Sequence, residues 1–168
     1  LKITPAIANL FKQLPGCRFC NQYGPTEGHV VSELELKGDP TTWPALQQAR
    51  QPLAVVFTTT DCSHCPAVVE QLARAVQQRR DGARLVTVVM DVPPGEADAE
   101  LLATPHYRRA GRLLAFDGAA AALRYRVNPA WRGVTPYVAL LRPGQPVTFV
   151  MGPPSAQDVK DWAAPSAR

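Results

Sequence analysis

Four cysteines stand in two C-x-x-C pairs, Cys17/Cys20 and Cys62/Cys65, and that spacing admits two chemistries. Two thiols three residues apart on a helical turn can close into a disulfide and reopen it, with the thiolate as the attacking species. Four thiolates drawn together would instead hold a tetrahedral zinc. The surroundings separate the two. Cys62 follows a continuous apolar run, Leu53-Ala54-Val55-Val56-Phe57, which reads as a strand buried on both faces. It precedes a stretch in which Val68, Val69, Leu72, Ala73 and Val76 fall on one helical face. A cysteine between a buried strand and a helix N-terminus lies where free N–H groups and the helix dipole stabilise a thiolate. Cys62 is then the exposed nucleophile, and Cys65, inside the first turn, the buried resolving thiol. His64 between them would add a positive charge that favours the Cys62 thiolate, hence the reduced form, and makes the disulfide a stronger oxidant. For zinc, the gap from Cys20 to Cys62 is far longer than ordinary zinc-ribbon spacing. No metal or other cofactor is assigned.

Cys17 and Cys20 follow Pro15-Gly16 rather than a buried strand, so the same argument does not reach them. Three readings stay open for the pair. The plainest is a local structural disulfide pinning a loop. The others are a second redox pair passing electrons to Cys62/Cys65, and a metal site with His29 as an extra ligand.

The elements that must position Cys62 follow from apolar periodicity and turn residues. Residues 51 to 168 read as one domain. After the first strand and helix, Asp81-Gly82 supplies a stop and Leu85 to Met90 a second buried strand. That order is a βαβ unit with parallel strands and a right-handed crossover. Pro93-Pro94-Gly95 opens a connection predicted to be helical over 97–103 and 108–126. Tyr137 to Leu141 and Val147 to Val150 flank Arg142-Pro143-Gly144-Gln145 and predict a β-hairpin. Ser155 and Asp158 form an S-x-x-D capping box opening a last helix through Trp162. Residues 1 to 50 read as an N-terminal extension. It holds a short amphipathic piece over Ile7, Leu10, Phe11 and Leu14, a strand candidate from Val30 to Leu36, and a helix candidate from Trp43 to Arg50. The fold class is α/β: β-α-β, a helical insertion, then β-β-α.

A chain of 168 residues with 46% hydrophobic and 19% charged residues is long enough for one real core plus an appendage. It contains no run of about 18 apolar residues. The net charge of +4 comes mostly from arginines scattered among apolar helical positions without interleaved aromatics. That pattern reads as a solvated helix face and not as a nucleic-acid surface. The even cysteine count suits an oxidising compartment. A start at Leu1 without a methionine leads to the expectation that a signal peptide or anchor has been removed.

Three stretches resemble the thioredoxin superfamily, and within it the catalytic domain of the bacterial periplasmic disulfide isomerases of the DsbC/DsbG type. They are Val55 to Cys65, with a Thr-rich lead-in before the C-x-x-C; Val134-Thr135-Pro136 opening a strand; and Gly152-Pro153-Pro154-Ser155 with Val159-Lys160-Asp161-Trp162. The resemblance implies a thioredoxin-like fold and a cis Pro136 facing the redox pair. It implies that Thr135 offers its backbone to a substrate peptide as an added strand, and that Ser63 lines the same surface. It implies thiol–disulfide exchange on protein substrates, a redox partner protein and a periplasmic or membrane-anchored location, and it leaves a homodimer open. Many thioredoxins place a buried acid six residues before the first cysteine; here, as in the DsbC-type pattern, that position is apolar, Val56. Residues 1 to 50 do not resemble the dimerisation domain of those isomerases. The competing function is a thioredoxin-fold binding or assembly module of a secretion or conjugation apparatus, with structural or metal-binding cysteines.

Overall fold

The computed structural model describes residues 33–38, 42–92, 97–116 and 119–164. Its elements in chain order are β1 (Glu33–Gly38), α1 (Thr42–Gln47), β2 (Leu53–Thr58), α2 (Cys65–Gln77), β3 (Arg84–Val89), α3 (Asp98–Ala103), a 3₁₀ turn (Tyr107–Arg109), β4 (Arg112–Phe116), α4 (Ala120–Val127), β5 (Tyr137–Leu141), β6 (Thr148–Met151) and α5 (Ala156–Ala163). One six-stranded sheet runs in the order β1-β4-β3-β2-β5-β6. β1, β4, β3 and β2 are mutually parallel, β5 runs antiparallel to β2, and β6 antiparallel to β5.

Helices cover both faces, so the central strands are apolar on both sides. Val55, Phe57, Val86, Val88, Leu114 and Phe116 point to one face, where they meet Trp43 and Leu46 from α1 and Leu123 and Val127 from α4. Ala54, Val56, Leu85, Val138 and Leu140 point to the other, against Val68, Val69 and Leu72 of α2 and Trp162 of α5. Beside that second face, Val89, Leu113 and Ala115 pack under Leu101 and Tyr107. The buried Trp162 Nε1–H donates to the Leu141 carbonyl at 3.1 Å, which closes α5 onto β5.

Several expectations meet the structure directly. β2 and β3 are parallel and in register from Leu53↔Arg84 to Thr58↔Val89. The hairpin forms, with Gln145 N–H bonded to the Arg142 carbonyl at 3.1 Å and Gly144 at φ 71° in a conformation that glycine adopts freely. α5 opens on a complete capping box between Ser155 and Asp158. The helical insertion is different. Residues 108–126, expected as one helix, contain the 3₁₀ turn, the strand β4 and only then α4. Leu113-Leu114-Ala115-Phe116 is a run of good helix formers, but it lies between β3 and β1 with both faces buried, and that tertiary setting overrides local preference. Within the stretch read as an N-terminal extension, β1 pairs with β4 and Trp43 is a core residue. Cys17, Cys20 and His29 lie outside the described residues.

Candidate active site

β2 is buried at all six positions and delivers the chain to the C-terminal edge of the parallel strands at Thr58. There the backbone leaves the sheet through a tight turn: Cys62 N–H bonds to the Thr59 carbonyl at 3.2 Å, and Cys65 N–H to the Cys62 carbonyl at 3.3 Å. α2 then begins at Cys65, with His64 as the capping residue and Pro66 in the first turn. A proline there sacrifices no helical hydrogen bond, because first-turn N–H groups have no partner inside the helix. The sequence placed Cys62 at the helix start and Cys65 inside its first turn. The structure sets both earlier, with Cys62 in the turn before the helix and Cys65 as its first residue. The i→i+3 bond between them tightens the lead-in into a turn.

Cys62 and Cys65 are joined by a disulfide with Cα atoms 5.4 Å apart, inside the range such a bridge needs. Their burial differs sharply. Cys65 is 1% exposed, while Cys62 is partly open to solvent. An incoming thiolate therefore has access to Cys62 and not to Cys65. Ser63 and His64 are exposed, and the His64 side chain makes no cap bond.

The Thr135–Pro136 peptide bond is cis. Its place beside the redox turn follows from strand register. β2 and β5 pair Val56↔Val138 and Phe57↔Tyr137, and one further step along each strand sets Thr58 against Pro136 and Thr59 against Thr135. The hydroxyls of Thr59 and Thr135 are 3.4 Å apart. Pro136 is buried, Thr135 half-buried and Val134 exposed. Trp131 braces this loop from behind: its Nε1–H donates to the Val134 carbonyl at 2.9 Å, and its ring stacks on Tyr137 at 4.3 Å and leans on Phe57 at 5.2 Å. The Tyr137 hydroxyl accepts from Asn128 Nδ2 at 2.8 Å.

The approach segment before Cys62 is held by residues that the sequence reading did not single out. Asp91, just past β3, takes the Thr60 backbone N–H on both carboxylate oxygens, at 3.0 and 2.9 Å, and the Thr60 hydroxyl at 2.6 Å. Below it Tyr107 is buried. Burial raises its hydroxyl above the ordinary tyrosine value; a hydrogen bond with Thr58 works against that, and the nearby Asp91 charge works with it. His106 lies on the Tyr107 ring, centroids 4.1 Å apart, and burial lowers it below the ordinary histidine value. The available signal was positional: Asp91 is the first polar residue after a buried parallel strand, at the sheet edge where sites of open α/β folds gather. At Val56, fully buried among α2 residues, no acid reaches the pair from below. The neighbour of Val56 on β3 is Thr87, whose buried hydroxyl has no hydrogen-bond partner. Among the described residues no group of three His, Cys, Asp or Glu side chains is arranged to hold a metal, and no helix is long and apolar enough to cross a membrane.

No protein-family model matches the chain, and no curated protein matches it. Among solved structures it is similar to the N-terminal domain of PilB from Neisseria gonorrhoeae, at 19% identity over 74% of this chain and 83% of that one, with a TM-score of 0.52. It is similar also to StoA from Bacillus subtilis, at 16% identity over 71% of this chain and 87% of that one, with a TM-score of 0.50. A secreted disulfide oxidoreductase of Mycobacterium tuberculosis aligns at 20% identity over 71% and 81% of the two chains, with a TM-score of 0.48. At these identities the likeness is one of fold. The chain has a thioredoxin-like fold, and at its sheet edge it carries a C-x-x-C disulfide between a partly exposed Cys62 and a buried Cys65.

Proposed function

We propose that the chain is a thiol–disulfide oxidoreductase that exchanges disulfides with protein substrates through Cys62 and Cys65, outside the cytoplasm and in the manner of the DsbC/DsbG type. The observation that carries the reading is the asymmetry of the bridge, with Cys62 reachable and Cys65 sealed at 1% exposure, in the turn leading from a buried strand into a helix. The finer assignment to the DsbC/DsbG type rests on the sequence likeness over 55–65, 134–140 and 152–162, and the compartment on the cysteine usage.

In the oxidising direction a substrate thiolate attacks Sγ of Cys62. The Cys62–Cys65 bond breaks, Cys65 leaves as thiolate, and a mixed disulfide joins substrate to Cys62. A second substrate thiolate then attacks the substrate sulfur of that mixed disulfide, which releases oxidised substrate and reduced Cys62. In the reducing direction the Cys62 thiolate attacks a substrate disulfide, and Cys65 resolves the adduct by attacking Sγ of Cys62. The first-turn N–H groups of α2 and the charge of a protonated His64 favour the Cys62 thiolate. Thr135 presents its backbone to the substrate segment as an added strand, with Ser63 and Pro136 forming the contact surface around the sulfurs.

The test is a pair of single substitutions. Cys62→Ser abolishes insulin reduction and dithiol oxidation, whereas Cys65→Ser accumulates substrate adducts that run as mixed disulfides on non-reducing gels. Full activity in the Cys62→Ser protein refutes the reading.

A further inference from the structure

We infer that Asp91 is a positioning residue that fixes the approach segment of Cys62 and, through its charge, holds the Cys62/Cys65 couple toward the reducing side. The inference deepens the proposed exchange reaction and rests on it. Three contacts converge on one residue: both Asp91 oxygens take the Thr60 N–H, and one also takes the Thr60 hydroxyl at 2.6 Å. Thr60 is two residues from Cys62 and follows Thr59, whose hydroxyl touches Thr135. The segment is therefore held on one side by Asp91 and on the other by the Pro136 loop. Asp91 itself is aimed by its anchorage: the preceding Met90 N–H bonds to the Thr58 carbonyl at 3.0 Å, which locks the end of β3 to the end of β2 on either side of the turn.

The sign of the electrostatic effect follows from chemistry. A carboxylate near Cys62 disfavours its thiolate. Because the thiolate is the reduced form's charged state, the same carboxylate destabilises the dithiol relative to the disulfide. Among the described residues no other acidic side chain hydrogen-bonds to residues 58–65; Asp61 is exposed and lies on the segment itself. On this inference the helix N-terminus and His64 favour the thiolate, and Asp91, bonded to Thr60 two residues before Cys62, opposes them.

The experiment equilibrates the full chain with glutathione, following protein disulfide + 2 GSH ⇌ protein dithiol + GSSG, in the wild type and in Asp91→Asn, Asp91→Ala and Thr60→Val. The amide of Asp91→Asn still offers one oxygen to the Thr60 N–H but carries no charge. Its equilibrium shifts toward dithiol by about three- to tenfold, which is about 15 to 30 mV, and Cys62 alkylates faster at neutral pH. Thr60→Val keeps the carboxylate and removes one bond, so its exchange rate falls while its equilibrium stays within about twofold of wild type. Asp91→Ala loses both functions, combining the shifted equilibrium with the slowed exchange. Thermal unfolding of each variant separates these effects from loss of fold, and Thr60→Val carries the positioning test if the Asp91 variants do not fold. Folded Asp91 variants with wild-type equilibrium, or a folded Thr60→Val with wild-type exchange rate, overturn the inference. A wild-type protein inert in exchange overturns the proposed function itself and this inference with it.

Discussion

Two segments flank the redox turn, and they are held by opposite kinds of force. The Trp131–Pro136 loop rests on a buried aromatic stack, Trp131 on Tyr137 and Phe57, with one hydrogen bond from indole to the Val134 carbonyl. Thr60, in the segment that leads to Cys62, hangs from exposed polar bonds to Asp91. Burying an aromatic side chain is worth several kcal/mol and depends little on ionic conditions. A solvent-exposed hydrogen bond contributes about 1 kcal/mol. The wall against which a substrate strand is proposed to lie is thus built for rigidity. The lead-in to Cys62 is held by an exposed carboxylate, at little cost in fold stability. On the inference above, stability and redox poise fall to different residues.

Substitutions can break that contrast. The largest effect is expected for Trp131→Ala, which removes a side chain 6% exposed and with it the brace of the Pro136 loop. A loss of about 3–5 kcal/mol in urea unfolding is predicted, against about 1 kcal/mol or less for Asp91→Ala. Equal losses would erase the distinction between the two segments. Trp131→Phe sharpens it, because the ring remains while the bond to the Val134 carbonyl goes; about 1 kcal/mol is expected, with the glutathione equilibrium unmoved. Thr87→Val, in the strand beneath the site, should gain about 1 kcal/mol, since it replaces a buried hydroxyl that has no partner by a methyl group. The smallest effect concerns His106. Burial sets its folded value below the ordinary 6.5, so the unfolded chain binds the proton first. Stability is full above pH 6.5 and falls as the pH drops from there through the lowered folded value. Urea midpoints at pH 7.5 and 5 should differ less in His106→Gln than in the wild type.

The same contrast explains what was legible in the sequence. The aromatic and aliphatic frame announces itself through runs and turns: Leu53 to Phe57, Leu85 to Met90, the hairpin about Gly144 and the box from Ser155 to Asp158. Each is a local signal that the tertiary structure reinforces. The C-x-x-C pair was visible because its placement between a buried strand and a helix is itself local. β4 was not, because four apolar residues between Arg112 and Asp117 look the same in a helix as in a strand, and only the neighbours β3 and β1 decide. Asp91 and Thr60 were hidden for a related reason. A carboxylate meeting a backbone N–H thirty-one residues away leaves no periodicity behind. Trp131 carries no local sequence signal of its task as a brace, which appears only once the register of β2 and β5 sets Thr59 beside Thr135.

The most direct test is the relative reactivity of the two sulfurs in the reduced protein. After reduction, limiting iodoacetamide is added across a pH series, and each cysteine is quantified by peptide mapping, which also resolves Cys17 and Cys20. Cys62 is expected to be alkylated at least about tenfold faster than Cys65, with a half-titration below the free-thiol value of about 8.5. Equal labelling of the two, or faster labelling at Cys65, would contradict this expectation.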